Sequence, residues 1–212
     1  VLFRSVLMDA PPAHEDVRPF LRIADLLVGA GFSAPRLIAA DHAEGFLLIE
    51  DFGDQLMGPV LAADPTRKDE IYTAAVGLLA QLARLEPPAD MRPYDRAELL
   101  REVLLFPQWY GKAAGFAPAG HWDEAGYVAA WDAAWGEVLA QTAARPVVTL
   151  RDYHADNLML LPDRPGVQAL GLLDFQDALA GHAAYDLVSL LQDARRDVSA
   201  RLEAAMLAHY GR

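Results

Sequence analysis

The 212 residues include no cysteine, which removes a disulfide framework, a thiolate zinc site and a thiol nucleophile together. No apolar run approaches the ~18 residues that a membrane-spanning helix requires. Lysine is nearly absent: Lys68 and Lys112 stand alone among 18 basic residues, the rest being arginine, a bias that GC-rich coding explains. Basic charge is also outweighed, 18 against 30 acidic residues for a net charge of −12, so a nucleic-acid groove or polybasic membrane anchor is not expected. His14, His42, His121, His154, His182 and His209 show no helical i, i+4 or other ligand spacing, which leaves zinc unsupported. Val1 opens the chain without a signal-peptide pattern behind it, and it reads as something other than a natural start. The expectation is a cytoplasmic protein that meets neither nucleic acid nor membrane, of unknown oligomeric state.

What is present is a large apolar inventory, 53% of residues with four Trp, seven Tyr and eight Phe, far too hydrophobic for a disordered chain. Ser5-Val6-Leu7-Met8 reads as the end of a strand stopped by Pro11-Pro12. A helix fits 14–30, with Val17, Phe20, Leu21, Ala24, Leu27 and Val28 on one face. Residues 36–40 and 46–50 read as an antiparallel hairpin. Beyond Asp51 the pattern turns helical, over 67–85 (Ile71, Ala74, Ala75, Leu78, Leu79 and Leu82 buried), 96–109 with Pro107 interrupting, and 123–141. Short apolar runs follow at 147–150, 158–161 and 170–173, the last two separated by the strong turn Pro162-Asp163-Arg164-Pro165-Gly166. Helices at 184–195 and 198–210 close the chain. The class is α+β, a small mixed part followed by a mainly helical part with a β-hairpin set into it.

The informative segment is Leu150-Arg151-Asp152-Tyr153-His154-Ala155-Asp156-Asn157-Leu158-Met159, then Leu172-Leu173-Asp174 after the turn. Asp152 and Asn157 fall on the loop linking two apolar runs, and Asp174 at the mouth of the next. Asp-x4-Asn alone is worth little, but with Arg before it, a turn, and Asp-Phe after it, the spacing is that of phosphotransferase catalytic loops. The mechanical reason is that one loop must aim a carboxylate at an acceptor hydroxyl and an amide oxygen at a cation. Oxygen ligands at strand ends suit hard cations. His154, two residues after Asp152, reads as a loop histidine making structural hydrogen bonds.

These residues, with Gly171-Leu172-Leu173-Asp174-Phe175-Gln176-Asp177-Ala178 and Tyr185-Asp186-Leu187-Val188-Ser189-Leu190-Leu191-Gln192-Asp193, resemble the aminoglycoside phosphotransferase superfamily. Within it the chain is most similar to the bacterial kinases that phosphorylate N-acetylmuramate and N-acetylglucosamine at C1. Met8-Asp9-Ala10-Pro11-Pro12, Phe46–Gly53 and Leu99–Tyr110 carry the same likeness. The resemblance implies a protein-kinase-like fold with ATP and Mg2+ as cofactors and a small-molecule acceptor, an amino sugar. It implies an incomplete N-terminal lobe with the hinge over 1–52 and a helical C-terminal lobe over 53–212. Asp152 would be the catalytic base or a hydroxyl-orienting carboxylate, with Arg151 a framework residue beside it, and Asn157 and Asp174 the magnesium ligands. Glu50, Asp51 and Phe52 would meet adenine through backbone groups, above Met159. Glu102, Trp109, Tyr110 and Asp177 would contact the acceptor, and Asp186 would brace the catalytic loop.

The departures matter too. Leu150 stands where kinases place histidine, and Asp156 where the superfamily commonly has glycine. No glycine-rich strand pair precedes Val6, and neither lysine falls near Leu7 or Met8, where a phosphate-binding lysine belongs. The sequence therefore reads as a core cut at both ends. The alternatives are an antibiotic or other small-molecule kinase, an inactive pseudokinase-like fragment and, more distantly, a hydrolase.

Overall fold

The computed structural model describes residues 4–116 and 122–211; Val1 and His121, named above, lie outside the described residues. The chain forms two compact units, one of Val1–Leu85, Leu150–Ala178 and Ala184–Arg212, the other of Glu86–Thr149 and Leu179–Ala183. Among the described residues no helix is long and apolar enough to cross a membrane.

The first unit opens with β1 (Ser5–Asp9), α1 (Arg18–Gly29), β2 (Leu37–Asp41) and β3 (Phe46–Glu50). The expected hairpin forms, and β3 lies between β1 and β2 with both pairings antiparallel. Leu47 and Ile49 alternate inward from β3, whereas β1 and β2 are largely exposed. Helix α1 begins four residues later than 14–30 predicts. Pro19 in its first turn explains this, because proline lacks the N–H that an interior position needs but suits the start. Its buried face is Phe20, Ile23, Ala24 and Leu27; Val17, Leu21 and Val28 are half-buried. A helix that periodicity misses, α2 (Met57–Ala63), follows residues 51–56 and buries Met57, Gly58 and Leu61.

Helix α3 (Lys68–Leu82) is the centre of this unit, burying Ile71, Tyr72, Ala75, Val76, Leu78, Leu79 and Leu82. Tyr72 and Val76 join the expected stripe, while Ala74 is exposed. The predicted second hairpin is present as β5 (Leu158–Leu160) and β6 (Leu170–Leu172), antiparallel and fully buried. It is tied down by Leu172 N donating to Ser33 O at 2.8 Å and Leu160 N to Gln55 O at 2.8 Å. Helix α6 (Tyr185–Leu191) stops short of the predicted residue 195. The Asp193 carboxylate accepts from Arg195 N at 3.0 Å, an Asx turn that competes with helix continuation. Helix α7 (Ala200–Tyr210) is capped by Ser199, whose hydroxyl accepts from Leu202 N.

The second unit holds α4 (Arg96–Leu105), a π-helical turn at Phe106–Gly111, α5 (Glu124–Ala144) and the pair β4 (Val147–Thr149) with β7 (Leu179–Gly181). Strand β7 is a second element that the sequence reading misses, being only three residues long. Pro107 does not simply interrupt the predicted helix 96–109: the chain widens into the π turn there. Proline has no N–H to complete the α pattern, and its ring crowds the preceding turn.

Candidate active site

The catalytic-loop candidates all belong to the first unit, and buried side-chain bonds fix them there. Asp186, buried on α6, accepts from Leu150 N at 2.7 Å and Arg151 N at 2.9 Å. Tyr153, 1% exposed, donates its hydroxyl to Ala75 O on α3 at 2.8 Å. The loop is thus pinned at both ends of its first turn, by a carboxylate on one side and a phenol on the other. Arg151 takes a φ of 75° and Asp174 a φ of 55°, left-handed conformations that are uncommon without glycine and gather at functional sites. The Arg151 guanidinium also donates to Asp177 O at 3.4 Å.

Asn157 and Asp174 come together. Asn157 Nδ2 donates to Asp152 O at 3.0 Å and to Asp174 Oδ2 at 3.3 Å, and faces His154 Nε2 at 3.3 Å. With the amide nitrogen engaged on the loop, its oxygen remains for a ligand. Asp174 Oδ1 accepts from Gln176 Nε2 at 2.7 Å, and Phe175 beyond it is fully buried, stacked on Phe20 of α1 at 5.1 Å. That stack anchors the exposed Asp174 to a rigid helix. Among the described residues no group of three or more His, Asp or Glu is arranged to hold a metal. One carboxylate and one amide oxygen nevertheless suit Mg2+, which keeps several waters and is bound largely through phosphates. His154 is buried and packed against Asn157.

Burial pushes the Asp186 carboxyl up to about 7, against the pull of the Leu150 and Arg151 N–H groups, and the Asp152 charge adds to the rise. The Tyr153 hydroxyl is held well above its usual range, first by burial and then by Asp186.

In the segment expected to form the hinge, Asp51 Oδ1 accepts from Gly53 N at 2.7 Å, and its other oxygen lies 3.1 Å from Arg4 Nε. Phe52 packs on Gly171: a Cβ there would stand 2.6 Å from the ring, so no larger residue fits. Met159, 4% exposed, bridges backbone to backbone with Leu56. Arg164, which the sequence marks only as part of the Pro162–Gly166 turn, is a further residue of this region. Its guanidinium pairs with Glu50, reaches Ser33 Oγ at 2.8 Å and stacks over Phe52 at 5.0 Å. The Glu50 side chain is therefore engaged by Arg164. No local signal announces a partner 114 residues away. A cavity of about 450 Å3 is lined by Met8, Phe20, Ile49, Leu173, Asp174 and Gln176, among others. It places Asp174 beside the sheet and α1.

The acceptor candidates Glu102, Trp109 and Tyr110 belong to the second unit. Glu102 is half-buried and accepts from the Tyr94 hydroxyl. Trp109 and Tyr110 are 75% and 60% exposed on the π turn. Asp177 is exposed in the first unit.

Comparison with known proteins matches residues 4–212 to the phosphotransferase enzyme family. The chain is 39% identical over 191 residues to an N-acetylmuramate/N-acetylglucosamine kinase of Pseudomonas aeruginosa, covering 89% of this chain and 53% of that protein. It is 38% identical over 204 residues to the kinase of the same name from Caulobacter vibrioides, covering 92% and 54%. The chain thus spans about half the length of these relatives. Among solved structures, the aminoglycoside phosphotransferase APH(3'')-Id of Streptomyces rimosus, in complex with ADP and streptomycin, matches with a TM-score of 0.61 and 20% identity, over 92% of this chain and 75% of that one. Choline kinase LicA of Streptococcus pneumoniae matches with a TM-score of 0.66 and 12% identity, over 99% and 68%. With its pinned Asp152–Asn157 loop, its Asp174 and this set of relatives, the chain belongs to the phosphotransferase enzyme family and has the protein-kinase-like fold.

Proposed function

We propose that this chain carries the catalytic core of a cytoplasmic, MgATP-dependent small-molecule kinase whose acceptor is the anomeric hydroxyl of N-acetylmuramate or N-acetylglucosamine, serving cell-wall sugar recycling. The observation that carries the reading is the Asn157–Asp174 contact on a loop whose Asp152 lies five residues before the amide. The names of the relatives at 39% and 38% identity support the choice of acceptor.

MgATP, when bound, supplies the γ-phosphoryl group and the divalent charge that offsets its oxygens. Asp152 accepts the proton of the acceptor hydroxyl as that oxygen bonds to phosphorus and the bond to the ADP leaving group breaks. Asn157 Oδ1 and the Asp174 carboxylate are the groups that would hold the cation. The backbone from Glu50 to Phe52 and the Met159 side chain are the groups that would hold adenine, and Arg164 fixes Glu50 and Phe52 in place. Arg151 and Asp186 keep Asp152 oriented without touching substrate. For the acceptor, the exposed Trp109 ring of the second unit would offer a stacking face to a pyranose, next to Tyr110, itself stacked on Phe106 at 5.2 Å, with Glu102 as a hydroxyl acceptor. Asp177 is the exposed carboxylate candidate of the first unit.

A polycationic antibiotic is the weaker alternative. It calls for a dense anionic surface, whereas in the second unit Asp132 is bound by Arg96 at 2.6 Å and Glu98 by Arg101 at 2.6 Å. The test is ADP release with N-acetylmuramate, N-acetylglucosamine and streptomycin as separate acceptors. Asp152→Asn is expected to lower turnover of the amino sugar about 10²–10⁴-fold while leaving MgATP binding by calorimetry in place. Undiminished turnover would remove Asp152 from the chemistry, and turnover of streptomycin alone would reassign the acceptor.

A further inference from the structure

The catalytic loop contains a second carboxylate, Asp156, adjacent to the amide that faces Asp174. Its surroundings differ from those of its neighbour. Asn157 faces Asp152 O, His154 and Asp174, whereas the Asp156 carboxylate accepts from an Arg196 NH2 group and lies against Gly58 of α2. The fit there is tight. A Cβ on Gly58 would stand 2.2 Å from Asp156 Oδ1 and 2.7 Å from the Arg196 guanidinium, so glycine is what lets the pair reach the helix. Arg196 is itself anchored, its Nε donating at 3.0 Å to Asp193, whose side chain is fully buried. Asp193 also accepts from Arg195 N at 3.0 Å. The result is a continuous strap from the end of α6 to the turn that carries Asn157.

The geometry points to Arg196 as a positioning residue of the catalytic loop: it holds the Asp156 carboxylate against α2, so that the loop offers Asn157, and not Asp156, to the divalent cation. This inference rests on the phosphotransferase reading above. The physical reason is competition. A hard cation takes any nearby anionic oxygen, and a carboxylate outbids a neutral amide. Asp156, one residue from Asn157, would draw the cation from its productive position if the guanidinium were removed. A displacement of about 1 Å at such a centre is enough to cost on the order of 10²-fold in rate.

The experiment is a rescue series in the intact protein: Arg196→Met, Arg196→Lys, and each combined with Asp156→Gly. Arg196→Met is expected to lower kcat about 10–100-fold, the usual effect of losing a partner that orients a metal ligand, with the acceptor KM little changed. Adding Asp156→Gly is expected to restore most of that loss, because the competing carboxylate is gone. Arg196→Lys, which keeps the charge, is expected to lie between. An arginine that merely held the fold together would give no rescue, and a double variant as impaired as the single one overturns the proposal. If Arg196→Met does not fold, the Arg196→Lys pair with and without Asp156→Gly carries the same comparison. Mn2+ binding to the ADP complex, read by electron paramagnetic resonance, gives an answer without turnover. Arg196→Met is expected to shift Mn2+ affinity about tenfold, and Asp156→Gly to reverse the shift. An unshifted affinity counts against the strap. If the unaltered protein phosphorylates no acceptor while the Mn2+ shift and its reversal are seen, the kinase reading fails and the role of Arg196 stands.

Discussion

Helices α3 and α5 are both rich in apolar residues, yet they live in opposite conditions. The 15-residue α3 buries seven side chains, among them Tyr72 and Leu78 with almost no exposure, while the 21-residue α5 buries only Thr142. Instead, α5 lines up half-exposed rings, Tyr127 on Trp131 at 6.2 Å and Trp131 on Trp135 at 5.1 Å, with Trp122 against Tyr127 at 5.1 Å. Apolar content therefore does not decide burial; the availability of facing elements does. The difference also follows chemistry. The loop of Asp152 and Asn157 hangs from the buried helix through Tyr153 and Ala75, the kind of rigid support that the proposed site would need. The aromatic candidates for acceptor binding, Trp109 and Tyr110, lie in the second unit and are 75% and 60% exposed.

The contrast can be broken by substitution. The largest expected effect on stability is Leu78→Ala in α3, about 2–5 kcal/mol from lost burial and the cavity left behind, read by urea unfolding. A loss below about 1 kcal/mol would show that α3 is not the core it resembles. Next is the pH dependence carried by Asp186. Its folded carboxyl titrates at about 7, above the ordinary 3.8, so the folded state holds a proton that the unfolded state has released. Its contribution to stability is fully present below pH 4 and is lost as pH rises towards 7, with a slope of at most about 1.4 kcal/mol per pH unit. Comparing unfolding from pH 4 to 8 with Asp186→Asn, which is expected to flatten that component, measures it; identical slopes would remove Asp186 from the titration. For Trp109→Ala, the expectation is a rise of about tenfold in acceptor KM with MgATP binding and melting temperature unchanged, since the ring is 75% exposed. A fall in melting temperature with unchanged KM would make Trp109 a packing residue. The smallest effect belongs to Val138→Ala on α5, expected within about 0.5 kcal/mol because Val138 is 41% exposed. A loss as large as that of Leu78→Ala would mean that α5 is covered in solution.

Much of the fold was legible because it is periodic. The hairpin of β2 and β3, the hairpin of β5 and β6, and the stripe of α3 all follow from two- and 3.6-residue repeats with turn residues between them. The failures have local physical causes. Helix α2 is only seven residues long with a proline inside its first turns, and β7 has three residues, too few for a period to register. Helix α6 ends early because the Asp193 side chain captures the Arg195 N–H, a choice that residue types allow but do not force. At the site, spacing together with the flanking Arg, turn and Asp-Phe makes Asp152, Asn157 and Asp174 candidates, and the structure brings Asn157 to Asp174. Spacing was silent on Arg164, whose partners Glu50 and Ser33 lie far away in the chain, and on Tyr153, whose acceptor is a carbonyl of α3.

Which chemical groups are available was decided by the sequence alone: no thiol, a carboxylate and an amide five residues apart, a further aspartate after a turn, and a net charge of −12. Composition and short-range spacing are properties of the chain in any conformation. The tertiary structure alone decided which of these groups face one another. Asp156 and Asn157 are neighbours in sequence and chemically similar, yet one is held against α2 by Arg196 and the other is turned to Asp174. Adjacent side chains diverge because the turn between them rotates the backbone, and their partners arrive from elements 40 and 17 residues away. Only folding brings such partners within the few ångströms over which hydrogen bonds act.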